Sequence, residues 1–510
     1  MGLLDFNIYD VICRNGLIDG DRDAVVFKDV RLTHRQYKEK VDHLASGLVK
    51  AGIELGDRIG IVAHNCPEFL ILYGASAKIG AIVLPVNWRF QPNEVEYVFR
   101  DCTPKIVFAG PEYQETVKAA VAKVESVKQC YAMGTGKAPE GFIPFETLYS
   151  NEPLKQEAAI TGDAGFVIIH TAAVAGRPRG ALLSQANIIY ANVQIMLGNG
   201  VGKDDAFVCI LPLFHIAALS QAMAVMHAGG KNVIFERFDP EETLQLIERE
   251  KGTFLFHFAP ILKMLTDKHE ETGKKYDLSS LRIVGGLDSP DNILRFQQIV
   301  PRANMVTGFG QTEAYPVTGG LMQERPGSAG QPMPLCRVAL LDDYGHEVPP
   351  GTPGEICVRS PVVFKGYWGL PEDTAHTFRD GWHHTGDIGR FDEEGYLWYV
   401  KRKAEKELIK PGGENVYPVE VEKAIMEHPA IAEVSVIGVP DDQWGEAIKA
   451  ICVLKAGQTL EAQALIDFVA SKISRYKKPK FVTFVESLPR TKDGEIDRDQ
   501  VKKDHGAKFK

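Results

Sequence analysis

Apolar positions recur at two different periods over the first three hundred residues, and the switching between them organises the chain. Residues 33–52 place Tyr37, Val41, Leu44, Leu48 and Val49 at helical spacing. Asp57-Arg58 then turns into the apolar run Ile59-Gly60-Ile61-Val62, which predicts a buried strand. A second helix is predicted over 67–79 and a second strand over 81–86. Strands over 105–108, 206–210, 232–235 and 281–284 carry the rhythm to about residue 310. Strands alternating with helices of this length predict parallel α/β architecture.

From about 326 to 400 the pattern shortens, and turns such as Pro349-Pro350-Gly351-Thr352-Pro353-Gly354 predict a small β-rich subdomain. The charged stretch Lys401-Arg402-Lys403-Ala404-Glu405-Lys406-Glu407 reads as a solvated turn or as a linker between domains. Beyond it a helix over 418–427, strands over 433–439 and 447–454, a helix over 460–473 and a strand over 481–485 predict a compact α+β unit. The expected class is α/β: a large N-terminal domain (1–401) of α/β subdomains plus the β-rich subdomain, a hinge (402–408), and a small C-terminal domain (409–510).

At 510 residues, 45% hydrophobic and 25% charged, the composition is that of a multi-domain globular chain. A net charge of −9 gives no long-range attraction to nucleic acid or anionic lipid. The eight cysteines form no C-x-x-C pair, which argues against a zinc ribbon and fits a reducing compartment. With no signal-peptide pattern and no run of about 18 apolar residues, a cytoplasmic protein without a membrane span is expected.

No Walker loop, G-x-G-x-x-G, G-x-S-x-G or H-E-x-x-H is present. What stands out is an ordered series. The strand Gly165-Phe166-Val167-Ile168-Ile169-His170 runs into Thr171-Ala172-Ala173-Val174-Ala175-Gly176-Arg177-Pro178-Arg179-Gly180. Leu211-Pro212-Leu213-Phe214-His215, Gly285-Gly286-Leu287 and Gly308-Phe309-Gly310-Gln311-Thr312-Glu313 follow. Then come His383-His384-Thr385-Gly386-Asp387, Gly412-Gly413-Glu414-Asn415-Val416-Tyr417-Pro418 and Leu488-Pro489-Arg490-Thr491-Lys492-Asp493-Gly494-Glu495-Ile496. In this order and spacing the whole chain resembles the adenylate-forming superfamily, and most of all its acyl- and aryl-CoA synthetase branch.

The resemblance implies a two-step reaction. A carboxylate attacks the α-phosphate of ATP to give acyl-AMP and pyrophosphate. The small, mobile C-terminal domain then rotates, and the CoA thiol displaces AMP. By the same resemblance Gly285, Gly286, Leu287, Gly308, Phe309 and Gly310 form the adenine slot, where glycines permit close backbone approach. Asp387 and Arg402 stand at the ribose, Thr312 at the α-phosphate, Glu313 as ligand to Mg2+, and His215 between the carboxylate and thiol paths. Gly412 and Gly413 face the CoA tunnel. The co-substrates implied are ATP, or AMP carried as acyl-AMP, a small carboxylic acid, and CoA.

Three departures qualify this. In the phosphate loop Thr171, Gly176, Arg179 and Gly180 keep the frame, but Ala172, Ala173, Val174 and Ala175 replace hydroxyls and a glycine. Backbone N–H groups there can still cradle an anion. At the C-terminal position where the family places a lysine that bridges carboxylate and α-phosphate, this chain has Glu495. Losing one such transition-state donor costs roughly 2.7–4 kcal/mol, about 10²–10³ in rate, and Lys492 is the candidate substitute. The hinge after Arg402 is two residues longer than the family's, with Lys406 or Glu407 in its neighbourhood.

The losses fall on ATP handling, while the parts serving acyl-AMP and thiol remain. Three readings follow: an acyl-CoA synthetase impaired in adenylation and fed acyl-AMP by a separate adenylating enzyme, a complete ATP-dependent ligase, or a non-catalytic nucleotide- or acyl-binding regulator. Ile216, Ala217, Ala218 and Leu219 mark a small apolar acyl pocket without a partner for an amino group, so a fatty, alicyclic or aromatic acid is expected. A homodimer is left open.

Overall fold

The computed structural model describes residues 5–134, 136–155, 159–174, 177–273, 275–402, 408–491 and 495–507. Among these, the strands form four sheets. The nine-stranded sheet runs, edge to edge, Gln331–Pro332, Ala314–Leu321, Asn304–Gln311, Ile283–Leu287, Phe254–Phe258, Ala206–Cys209, Lys231–Ile234, Asp23–Phe27 and Val30–Thr33. Its middle, from Asn304–Gln311 to Asp23–Phe27, is parallel, and antiparallel pairs close both edges. The eight-stranded sheet runs Gly366–Tyr367, Arg177–Ser184, Gly165–Val174, Ile82–Pro85, Arg58–Val62, Ile106–Ala109, Gln129–Ala132 and Ile143–Pro144. It is parallel from Gly165–Val174 onward.

Helix Pro67–Ile79 joins the two. It is largely apolar and buried along nearly its whole length, its buried Lys78 paired with Asp42, as a helix packed between layers must be. One continuous core runs through both sheets. The β-rich subdomain is an antiparallel sheet of Arg337–Leu341, Gly354–Arg359, Trp382–Phe391, Phe378–Arg379 and Leu397–Arg402. The C-terminal unit pairs Ile431–Asp441, Gly445–Leu454 and Phe481–Val485 and backs them with helices Pro418–Met426 and Ala462–Lys472 around a core of its own.

The predicted α/β class therefore holds, with three local differences. Strands Gly165–Val174 and Arg177–Ser184 pair antiparallel, with Thr171 opposite Arg179, instead of a strand followed by a loop. Helix Ile8–Ile18 and the pair Asp23–Phe27/Val30–Thr33 precede the first predicted element. Helix Arg498–His505 went unpredicted because Val501 is its one buried residue, so apolar periodicity carries no signal there.

This topology gathers chemistry at one place. In parallel sheets, ligand sites form beyond the carboxyl ends of the strands. Here those ends bring His64, Trp88 and Tyr113 from one sheet against Arg237 from the other. His64 Nε2 lies 2.6 Å from the Tyr113 hydroxyl and accepts from Arg237 Nε at 2.9 Å. Asn65 ties the sheets together, donating to the Leu211 carbonyl (2.9 Å) and accepting from Leu213 N–H (2.8 Å). The next two residues are Phe214 and His215.

Candidate active site

Asp387 sits in the long strand Trp382–Phe391 and is 2% exposed. A buried carboxylate needs partners, and it has three. Gln311 Nε2 donates to Oδ2 at 2.8 Å and the Tyr399 hydroxyl to Oδ1 at 3.2 Å. Arg402 Nε lies 3.2 Å from Oδ1. Burial works against the Arg402 charge, but Asp387, Tyr417 and Tyr399 outweigh it and raise its pKa. The two residues expected at the ribose thus share one ion pair. Residues 403–407, which include the expected Lys406 or Glu407, lie outside the described residues.

Thr312 and Glu313 occupy the turn between strands Asn304–Gln311 and Ala314–Leu321. Thr312 is partly exposed, whereas Glu313 is 7% exposed and accepts from the Tyr367 hydroxyl at 2.8 Å. Burial, then the Glu313 charge, pushes the Tyr367 phenol well above its ordinary range. Arg179 stacks on the Tyr367 ring (4.0 Å) and bonds Asp373 Oδ1 (2.7 Å). Arg179 is therefore already paired. Thr171 and Gly180 sit in the antiparallel strands Gly165–Val174 and Arg177–Ser184, with Thr171 Oγ1 3.4 Å from the Arg179 carbonyl. Gly176 lies outside the described residues.

The glycines tell a different story from the expected one. A Cβ on Gly285 would meet the Phe256 ring at 2.9 Å, and one on Gly310 the Tyr315 ring at 2.7 Å. On Gly286, at φ +148°, it would strike the His257 carbonyl, and on Gly308 the Thr318 carbonyl. The protein's own strands and rings fill those spaces, so the glycines by themselves are no argument for an adenine slot. Leu287 ends its strand half-exposed, its carbonyl accepting from Ala259 N–H at 2.9 Å. Phe309 N–H donates to Thr318 Oγ1 at 3.0 Å.

His215 caps helix Ile216–Ala228 and keeps 42% of its side chain exposed. Across from it lies the C-terminal unit. Pro411–Gly413 forms a 3₁₀ turn in which Gly412, at φ +60°, packs under Trp444, 2.8 Å from where a Cβ would stand. The next residue, Glu414, reaches into the large domain. Its Oε1 lies 2.8 Å from Arg89 Nη1 and its Oε2 3.5 Å from His215 Nε2. Burial would raise the Glu414 carboxyl, but His215 and Arg89 pull it down to about 2. A second contact lies beside it: buried Lys477 sits between Glu94 of the large domain (2.6 Å) and Glu420 of the small one (2.5 Å), and Ser474 also donates to Glu94. Burial opposes the Lys477 charge, yet the two carboxylates raise its pKa overall.

Glu495 lies elsewhere. It is exposed, in the turn where Thr491 N–H donates to its carbonyl (2.8 Å) and Arg490 bridges to Ile496. Lys492 falls outside the described residues. The structure thus brings Thr312, Glu313, Asp387, Arg402, Arg179 and His215 to the edge of the large domain with the Gly412 turn opposite. Sequence reasoning missed Arg89, Gln311, Tyr367, Tyr399 and Glu414. Glu414 was within reach, being next to a glycine turn already singled out; Arg89 carries no local signal.

Comparison with known proteins identifies the family. The family model "AMP-binding enzyme" matches residues 17–368, and "AMP-binding enzyme C-terminal domain" matches 420–495. An indoleacetate–CoA ligase of Aromatoleum aromaticum is 34% identical, with 96% of each chain covered. A feruloyl-CoA synthase of Amycolatopsis sp is 33% identical, covering 95% of this chain and 96% of its own. A solved putative long-chain-fatty-acid CoA ligase from Rhodopseudomonas palustris is 42% identical with a TM-score of 0.75, covering 79% of this chain and all of its own.

Proposed function

The chain belongs to the AMP-binding enzymes, on their acyl-CoA synthetase branch, and we propose that within it this enzyme is specialised for the second half-reaction, taking acyl-AMP and CoA to acyl-CoA and AMP. Membership of that branch removes the non-catalytic reading. No helix among the described residues is long and apolar enough to cross a membrane.

One observation carries the proposal. Glu414, beside the Gly412 turn, meets His215 and Arg89 across the domain boundary, while Glu495, in the place of the adenylating lysine, stands in solvent. Arg179, which stands where the family's phosphate loop has its lysine, is committed to Asp373 and Tyr367. In the reaction proposed, the CoA sulfur attacks the acyl carbon, the acyl–oxygen bond to AMP breaks, and AMP leaves with that oxygen. Holding thiol and anhydride together supplies much of the barrier reduction, and no triphosphate clamp is needed.

Asp387, Arg402, Thr312 and the strand ends Gly285–Leu287 and Gly308–Gly310 would hold the nucleotide. A divalent cation fits Glu313: Tyr367 takes one carboxylate oxygen and leaves the other for a hard ion. Such an ion would neutralise phosphate charge. The acid we propose is cyclic or aromatic. The relatives' names pair an arylacetate and an arylacrylate with CoA, and half-buried Phe256 and Phe258 face each other edge-on at 5.8 Å beside Gly285. The complete two-step ligase is the competing reading, supported by the retained Thr312 and Glu313.

Partial reactions separate the two. Expected are weak carboxylate-dependent ATP–pyrophosphate exchange and rapid thioester formation from chemically made acyl-AMP and CoA. Exchange as fast as thioester formation would establish the complete ligase instead.

A further inference from the structure

Helix Ile216–Ala228 is buried on every face along most of its length, and its sequence is apolar except at Ser220, Gln221 and, in its last turn, His227. Gln221 is 2% exposed. Its Nε2 donates to the Tyr315 hydroxyl at 2.8 Å, but its Oε1 has no hydrogen-bond partner among the described residues, and neither has the Ser220 hydroxyl beside it. Turning the amide over would exchange its two ends without satisfying both. A buried amide end left open is costly, and such groups in native proteins usually answer to a water, an ion or a ligand.

The position of this pair is informative. The helix that carries Gln221 begins at His215, whose ring meets Glu414. Tyr315 follows Glu313 by two residues, and its half-buried ring lies over Gly310. The two segments that supply reaction-side groups therefore meet again, deeper in the domain, at one polar pair. Six residues of helix from His215 to Gln221 are about 9 Å of axial rise.

We infer that Gln221, with the Tyr315 hydroxyl, is a specificity-determining pair that recognises a hydrogen-bonding substituent at the end of the acid remote from its carboxylate. This rests on the acyl-CoA reading above and narrows its substrate class to ring acids bearing a distal hydroxyl or ring N–H. A plain hydrocarbon tail would leave the amide end unpaired, and loss of an expected partner at a buried polar site is what gives such sites their discrimination.

The test compares two non-reactive acyl-sulfamoyl-adenosines, made from 4-hydroxycinnamate and from cinnamate, by calorimetry. The first places its hydroxyl at a comparable distance from the carboxyl carbon; the second lacks it. The wild type is expected to bind the hydroxylated analogue at least about tenfold more tightly, with the ratio falling to within about threefold in Gln221→Leu and falling partway in Tyr315→Phe. Reading a ratio within each protein cancels general loss of affinity, and Gln221→Met carries the same test should the leucine variant not fold. A wild-type ratio near one, meaning that ordered water fills the site, overturns the inference, as does a ratio that survives Gln221→Leu. Thioester formation from the corresponding acyl-AMPs is measured alongside. Discrimination in binding without any thioester would sink the acyl-CoA reading and leave the pair standing as a recognition site.

Discussion

Glu414→Gln removes one of the charges that link the two domains and nearly preserves the side chain's shape. In the docked arrangement the carboxyl titrates at about 2 instead of 4.5, which corresponds to about 3 kcal/mol in favour of the charged form. Glu414 itself is only 15% exposed, but Arg89 and His215 keep 29% and 42% of their side chains in solvent. Screening, and the dependence of the His215 share on a protonated ring, bring the useful part at neutral pH down to about 1–2 kcal/mol. Because docking makes the carboxyl more acidic, its contribution is fully present above about 4.5 and is lost as pH falls from there toward 2. At neutral pH the variant should hold the docked arrangement 5–30-fold less often, by order of magnitude. Single-turnover mixing of acyl-AMP with CoA should show thioester formation slowed by that factor, with ATP–pyrophosphate exchange not reduced. Arg89→Met should behave alike, and the double variant should be little worse than either single change because the two act on one contact. An unchanged thiolysis rate, or equal losses in both partial reactions, would refute the assignment of Glu414 to docking.

Three further outcomes follow from the same coordinates. Lys477→Met strands Glu94 and Glu420 against each other and should cost about 3–5 kcal/mol in denaturant unfolding, most of it recovered when both glutamates are also changed to Gln; an unmoved midpoint would contradict the buried pairing. Glu495→Lys should leave the melting temperature nearly unchanged, since the position is exposed, and should raise pyrophosphate exchange by about 10²–10³; no rise would mean that this turn never reaches the nucleotide. Gly286→Ala should lose about 2–4 kcal/mol of stability, because it combines a positive φ with a clash against backbone, and near-normal stability by thermal melting would show that the two strands can part at His257.

Much of the α/β rhythm was legible because its elements are buried on one or both faces. Pro67–Ile79 and Ile82–Pro85 declare themselves through continuous apolar runs. Elements held by few apolar contacts were silent, as Arg498–His505 shows with its single buried valine. Within the site, residues that mark turns or punctuate strands could be found by motif: Asp387 after Gly386, Thr312-Glu313 between two strands. Their partners could not. Arg89 meets a residue 325 positions away and Arg179 one 194 positions away, and no local pattern encodes such pairs. The glycines at 285, 286, 308 and 310 were legible as special, but the reason for them was not. They accommodate Phe256, His257, Thr318 and Tyr315, a fact of sheet register and ring packing that spacing alone does not reveal.

The charges around the site sort by the demands of the two half-reactions. Adenylation brings a carboxylate against a polyphosphate and therefore calls for free positive charge. On the described surface, Arg179 is balanced by Asp373, Arg402 by Asp387, and Arg89 by Glu414, while Glu495 offers an anion where a cation would serve. Thiolysis makes a smaller demand. Its anhydride carries one phosphate, its nucleophile needs position more than charge, and one of those pairs, Arg89 with Glu414, is itself part of the domain contact that supplies position. A site whose arginines are spent on ion pairs is poorly suited to gathering a triphosphate and well suited to holding two surfaces together. That trade links the missing hydroxyls of the phosphate loop to the presence of Glu414 between Arg89 and His215, and it is why we place the enzyme's competence in the thioester step.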